Sequence, residues 1–158
     1  FRFWENPPDA WLEREVAPHT EWEIHCALTT PLLRVSGTEV TRLGERSWRV
    51  RVIIDNTGWL PTNVTQRAIE RRLVQPILAA ITLPDGAALH GGNAVLELGQ
   101  LEGRSHITAM TADFGSPGAG TVDRAVAEWY VDADPGSTCS VTVRHDRAGR
   151  ATTQVVLD

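Results

Sequence analysis

From Leu33 onward, apolar and polar side chains alternate with a period of two. Trp48, Val50, Val52 and Ile54 fall on one side of an extended segment, with Arg49, Arg51 and Asp55 on the other. That is the pattern of a strand buried on one face. It recurs in Ile77, Ala79, Ile81 and Leu83, and again in Ala94, Leu96 and Leu98 opposite Glu97. Ala125, Ala127, Trp129 and Val131 face away from Arg124 and Glu128, while Val141, Val143 and His145 alternate with Thr142 and Arg144. Thr153–Leu157 closes the chain as a last strand. Between these runs stand "SGT", "LGE", "LPDG", "HGGN", "GSPGAG", "ADPGS" and "DRAG", all rich in turn-forming residues. Seven to eight short strands separated in this way predict a mainly β domain, an antiparallel β-sandwich of the immunoglobulin/fibronectin-like kind. No long helix lies between strands, which argues against a parallel α/β sheet. Gln66–Leu73 is helical by propensity.

Residues 1–32 follow another rule. "WENPPDAWLEREVAP" places Asn6 at an N-cap, with Pro7 and Pro8 in a first turn where a missing N–H costs nothing. Trp11, Leu12 and Val16 supply apolar positions before Pro18 interrupts. Thr20–Glu23 repeats a capping-box spacing, Trp22, Ile24, Ala27 and Leu28 continue the apolar face, and Pro31 ends it. Two short helices, or one broken helix, are therefore expected, with Trp4, Trp11 and Trp22 docking the segment. The expected organisation is a helical linker over 1–32 and a β-sandwich over 33–158.

Composition narrows the choice of class. The chain has 158 residues, enough for one domain with a real core, and its 42% hydrophobic content excludes disorder. No apolar run reaches the roughly 18 residues of a membrane span. The formal charge is −5 and all fifteen basic residues are Arg, so a nucleic-acid partner is not expected. Arg67, Arg71 and Arg72, interleaved with Glu70, form a basic cluster that reads as a solvated face. Cys26 and Cys139 are compatible with one disulfide or with two separate thiols. The start at Phe1, with no initiator Met or signal pattern, reads as a piece of a longer protein.

Candidate chemistry is sparse. Glu21 and His25 stand four apart on a helix without a third ligand near in sequence, and no H-E-x-x-H, G-x-S-x-G or phosphate loop occurs. His106 and His145 fall in strand patterns and read as structural, while His19 and His90 belong to a helix break and a turn. Asp132 and Asp134, with Asp113 and Asp123 near the glycine loop, are the acidic residues a calcium site would draw on, without the order of an EF-hand. "NVT" at Asn63 is a formal glycosylation sequon. Trp48 and Trp129 lie on the apolar phase of their strands and are expected in the core. Trp59 alone has no periodic place. It sits in "DNTGWLPT", where Asn56 can close an Asx-turn, Gly58 can supply a positive φ and Pro61 stiffens the exit. Trp59, Asn56 and Thr62 are the candidate contacts to a partner.

"FWENPP", "EREVAPHTEW", "DNTGWLPT" and "LELGQLEGR", in that order, resemble the C-terminal portion of bacterial zinc carboxypeptidases of the carboxypeptidase A type. The resemblance runs over nearly the whole chain. It implies that an upstream catalytic domain supplies two His and one Glu as zinc ligands, a Glu as general base and an Arg for the substrate carboxylate. None of those motifs maps onto a position here, so the segment itself is expected to be non-catalytic and to hold no cofactor. It would act as an accessory module in stability, orientation or substrate access, with the upstream peptidase domain as its partner. The alternative is a module that binds peptide or cell-wall glycan through Trp59 and its neighbouring loops.

Overall fold

A computed structural model of the chain describes residues 8–106 and 122–158. Asn6, Trp4, Asp113 and the "GSPGAG" loop lie outside the described residues. A single 3-10 turn at Asp9–Trp11 leads into α1 (Leu12–Leu28). Eight strands follow among the described residues: β1 (Leu33–Arg42), β2 (Ser47–Asn56), β3 (Leu78–Thr82), β4 (Ala88–Leu89), β5 (Val95–Glu97), β6 (Arg124–Asp132), β7 (Thr138–His145) and β8 (Gly149–Val156). A short helix, α2 (Gln66–Glu70), lies between β2 and β3. It starts at Thr65, whose hydroxyl accepts the Ala68 amide at 3.3 Å, an N-cap of the expected type.

The strands form two antiparallel sheets in the orders β1-β2-β6-β4 and β5-β3-β7-β8. These follow the A-B-E-D and C-F-G arrangement of an immunoglobulin-like sandwich, with β5 added beside the C position. The predicted alternation is what holds the sheets together. Along β2 every second residue is buried, so Trp48, Val50, Val52 and Ile54 meet Ala127, Trp129 and Val131 of β6 on the inner face. Ile77, Ala79 and Ile81 face them from the second sheet, with Cys139, Val141 and Val143 beside them. Both core tryptophans are enclosed, and Trp48 Nε1 donates to the Ala133 carbonyl at 3.0 Å, giving its one polar atom a partner.

Several sequence expectations are corrected. Pro18 does not break the helix: α1 runs through it, and Thr20 stands in mid-helix instead of at a new cap. Proline at an interior position leaves the Arg14 carbonyl without its amide donor. That carbonyl lies on an exposed segment, where water can bond it. No residue of α1 is buried, so Trp11 and Trp22 do not dock on the sandwich. "SGT" is not a turn but a bulge inside β1, where the register against β2 shifts between Val35 and Gly37. His106 sits in a bend and not in a strand. Asn63 is buried, so a glycan on its sequon would not fit this packing.

The two cysteines are unpaired, Cys26 exposed on α1 and Cys139 in the core. Burial pushes the Cys139 thiol up, so the thiolate is disfavoured there. His145 is buried at the end of β7, and its Nδ1 accepts the amides of Arg147 and Ala148, both at 3.2 Å. Burial holds this imidazole below the usual histidine value of 6.5, with Arg147 acting in the same sense and the Gln75 carbonyl and Asp146 opposing. A depressed folded pKa means that the unfolded chain takes up the proton first. The stability that His145 contributes is therefore complete above pH 6.5 and is lost as the pH falls from there through the folded value. Urea unfolding at pH 7.5, 6.5 and 5.5 should show a declining midpoint, and His145→Gln should flatten that decline. An unchanged slope in the variant would remove His145 as its source.

Candidate functional site

The loop after β2 forms the most cross-braced corner of the molecule. Asn56 is almost fully enclosed and uses all four of its side-chain bonds. Its Oδ1 accepts the amides of Leu32 (2.9 Å) and Gly58 (3.1 Å), the second closing the expected Asx-turn. Its Nδ2 donates to the carbonyls of Leu60 (2.9 Å) and Glu102 (3.0 Å). One side chain therefore ties together the end of the helical segment, its own turn and a strand-like stretch far along the chain.

The backbone repeats the same three-way connection. Thr57 N donates to Leu32 O and Leu60 N to Thr29 O, which fixes the loop to the segment between α1 and β1. On the opposite side Arg104 N donates to Gly58 O and Ser105 N to Trp59 O. Thr62 completes the set: its amide donates to Leu101 O, and its hydroxyl accepts the Leu101 amide at 2.9 Å while lying 2.7 Å from Gln100 Oε1. Arg124 and Asp55 close the strand ends beside it with an ion pair of 2.8 Å. The turn does not call on the positive φ that Gly58 can supply. Its need for glycine comes from close approach, because a Cβ there would lie 2.2 Å from Thr30 O.

Of the three candidate contacts, Asn56 and Thr62 face inward with their polar atoms committed, and they act as braces of the corner instead of contact residues. Trp59 is the one presented outward, 54% exposed. It stands between two adjoining grooves. One, of about 400 Å³, runs between Leu28, Leu32, Trp59 and Arg104, and the other, of about 460 Å³, between His25, Leu28, Thr29 and Trp59. Leu28 and Leu32 are themselves exposed, so the corner offers apolar surface with one guanidinium at its border. No local pattern joins Arg104 and Leu28 to Trp59, since they lie 45 and 31 positions away and follow no shared period.

The remaining chemical candidates are dispersed. His25 stacks on Trp22 with ring centroids 5.8 Å apart, and Glu21 stays beside it on an exposed helix. Asp132 and Asp134, considered for calcium, are both held by Arg46, the Asp132 contact at 3.0 Å. Among the described residues no three His, Cys, Asp or Glu side chains converge as a metal site would require, and no helix is long and apolar enough to cross a membrane.

A family model described as a domain of unknown function (DUF8731) matches residues 32–156, from the last residue before β1 to the last residue of β8. No curated protein matches the chain. Among solved structures it is similar to the GAE domain of GGA2p from Saccharomyces cerevisiae, with 10% identity over 80% of this chain and 94% of that one, at a TM-score of 0.39. That likeness is too distant to carry an argument.

Proposed function

We propose, for a chain that belongs to the family described as a domain of unknown function (DUF8731), that it is a non-catalytic accessory β-sandwich attached to a zinc carboxypeptidase-type catalytic domain. Its task in that reading is to support the stability, orientation or substrate access of its partner. The resemblance of "FWENPP", "DNTGWLPT" and "LELGQLEGR" to the C-terminal portion of such peptidases supplies the identity of the partner.

The observation that carries the reading is α1. Leu12, Val16, Trp22, Ile24 and Leu28 are all exposed on a helix that buries nothing, and Trp11 in the turn before it is exposed too. Helices in proteins draw most of their stability from tertiary packing, which this one lacks, and it also contains a proline. Covering one large apolar side chain contributes roughly 1.5–3 kcal/mol, so a neighbouring domain laid against the helix would stabilise both bodies. The braced corner supports this, because it fixes the exit of α1 to the sandwich through Leu32, Thr29 and Asn56.

Two measurements test the proposal. The chain incubated with zinc and peptides bearing free C-termini should release no amino acids, and zinc-dependent release would overturn the non-catalytic assignment. The parent reading frame should encode H-x-x-E and a later His upstream of this segment. A frame without those ligands would remove the peptidase partner.

A second reading rests on Trp59, whose exposed ring beside the two grooves suits stacking against a sugar face or an apolar peptide side chain. Retention on peptidoglycan that disappears in Trp59→Ala would favour it over the first. No retention of the unmodified chain would dismiss it.

A further inference from the structure

The sequence places Arg67 and Arg71 on what reads as a solvated face. The fold adds a third guanidinium that the sequence does not connect with them. Arg147, in the turn between β7 and β8, comes against α2, so that Arg67, Arg71 and Arg147 line one cleft of about 300 Å³. Its remaining wall is Val64, Ala68 and Leu73 together with Thr65, the N-cap of α2.

Three facts set this cleft apart from an ordinary charged surface. The first concerns partners. Arg46, Arg51 and Arg124 each pair with carboxylates. Among the described residues, no carboxylate lies within ion-pair distance of Arg67, Arg71 or Arg147, and Glu70 on the same helix does not line the cleft. In a chain of net charge −5, three cations line one cleft that has no carboxylate in its lining.

The second concerns placement. Arg67 on α2 and Arg71, its C-cap, stand at i and i+4 and are joined by the Arg71 N to Arg67 O bond at 3.1 Å, one turn apart, where like charges repel in the absence of a counter-anion. The third concerns preorganisation. Arg147 is held at both ends, its amide donating to His145 Nδ1 at 3.2 Å and its Nη1 to the Asn63 carbonyl at 3.2 Å. His145 and Asn63 are both buried, so the exposed Arg147 is tied to the core at two points. An Arg positioned in advance loses less entropy when it binds an oxyanion.

We infer that this cleft is a binding site for a small ligand with an oxyanion group, phosphate or carboxylate, carrying an apolar substituent. The three guanidiniums would share the anion, Arg offering a planar fork of donors matched to such oxygens. The substituent would rest on Ala68 and Leu73. The inference is independent of the peptidase reading, because the cleft lies apart from both α1 and Trp59 in its lining.

The test is a titration of the intact chain with phenyl phosphate, benzoate, inorganic phosphate and phenol at low ionic strength, followed through the backbone amides of Ala68, Leu73 and Arg147 in heteronuclear NMR. Phenyl phosphate or benzoate should saturate these shifts, whichever does so more tightly identifying the anion, with inorganic phosphate weaker and phenol without effect. Arg67→Gln and Arg71→Gln should each weaken binding about fivefold, the upper range for an exposed ion pair, and added salt should weaken it further. Arg150→Gln, on exposed β8, should change nothing. The three variants are at exposed positions and are expected to fold, and an unchanged amide spectrum elsewhere checks this. Absence of saturation by either aromatic anion, an equal affinity in Arg67→Gln/Arg71→Gln, or phenol binding as tightly as phenyl phosphate would each overturn the site.

Discussion

Replacing Asn56 with Ala should remove about 4–5 kcal/mol of unfolding free energy, seen as a lower urea midpoint with an unchanged slope. The amide at this position does not simply add bonds. It satisfies two backbone donors and two backbone acceptors, on Leu32, Gly58, Leu60 and Glu102, and among the described residues no other side chain bonds these four groups. Truncation leaves all four without their partner, at roughly 1–3 kcal/mol for each group that water cannot reach. The lower part of the summed range is expected because Leu32 and Leu60 lie near the surface, where solvent can enter. Asn56→Asp separates the two halves of the argument. Its carboxylate keeps the bonds to the Leu32 and Gly58 amides but sets a negative charge against the Leu60 and Glu102 carbonyls. At neutral pH it should be at least as harmful as Ala, and it should recover in part as acid protonates the carboxyl and gives it a hydrogen to donate. A loss below about 1 kcal/mol for Asn56→Ala would show that the corner is held by its backbone bonds alone.

The expected loss at Asn56 also marks the limit of what the sequence expresses. A strand with one buried face announces itself every two residues, because the pleat turns alternate side chains to opposite sides. Hence β2, β3, β6 and β7 are readable, and so are Trp48 and Trp129 as core. The local Asx-turn is readable for the same reason, since Asn56 and Gly58 are near neighbours. The bonds to Leu32 and Glu102 cross 24 and 46 positions, and no local pattern encodes such a partnership. Pro18 misleads in the opposite direction. Its helix-breaking character is real, but on an exposed helix the freed carbonyl can be satisfied by water and the rest of α1 continues.

The candidate site divides along the same line. Trp59 could be singled out because a large aromatic residue with no periodic place must either fill an irregular pocket or face outward. Asn56 and Thr62 looked like equal companions by composition, and only burial shows that they are braces. The basic cleft was half visible: Arg67 and Arg71 stand four apart in the chain, while Arg147 joins them through the packing of the β7–β8 turn against the loop at Asn63. The left-handed backbone of Val64 and Arg72, at either side of α2, had no sequence signal at all. A β-branched residue in that conformation is an outlier that only the surrounding structure can impose.

Gly58→Ala should, with Gly103→Ala, be the most damaging alanine replacement among the described glycines, with a loss of about 4 kcal/mol or more and little folded protein recovered. The reason is distance, not conformational freedom. The new Cβ would lie 2.2 Å from Thr30 O, 2.6 Å from Pro31 Cα and 2.8 Å from Leu32 N. All three are backbone atoms, and carbon needs about 3.5–4.0 Å to a neighbour for a favourable contact. No rotamer change can relieve the overlap, so the loop must leave the segment that joins α1 to β1. In doing so it gives up the Leu60–Thr29 and Thr57–Leu32 bonds. Gly103→Ala tests the other side of the same loop, where a Cβ would meet Trp59 O at 2.3 Å and the Leu60 carbonyl at 2.6 Å, and a comparable loss is expected. Gly44→Ala is the control, since its nearest neighbour is the Ser47 Cβ at 3.5 Å, an ordinary contact, and its stability should stay within about 0.5 kcal/mol. Thermal melts of the three variants decide the matter: if Gly58→Ala melts with Gly44→Ala and the unmodified chain, the loop is not clamped between its two neighbours. If it melts far below them, the close packing that presents Trp59 to the solvent is also what keeps α1 anchored to the sandwich.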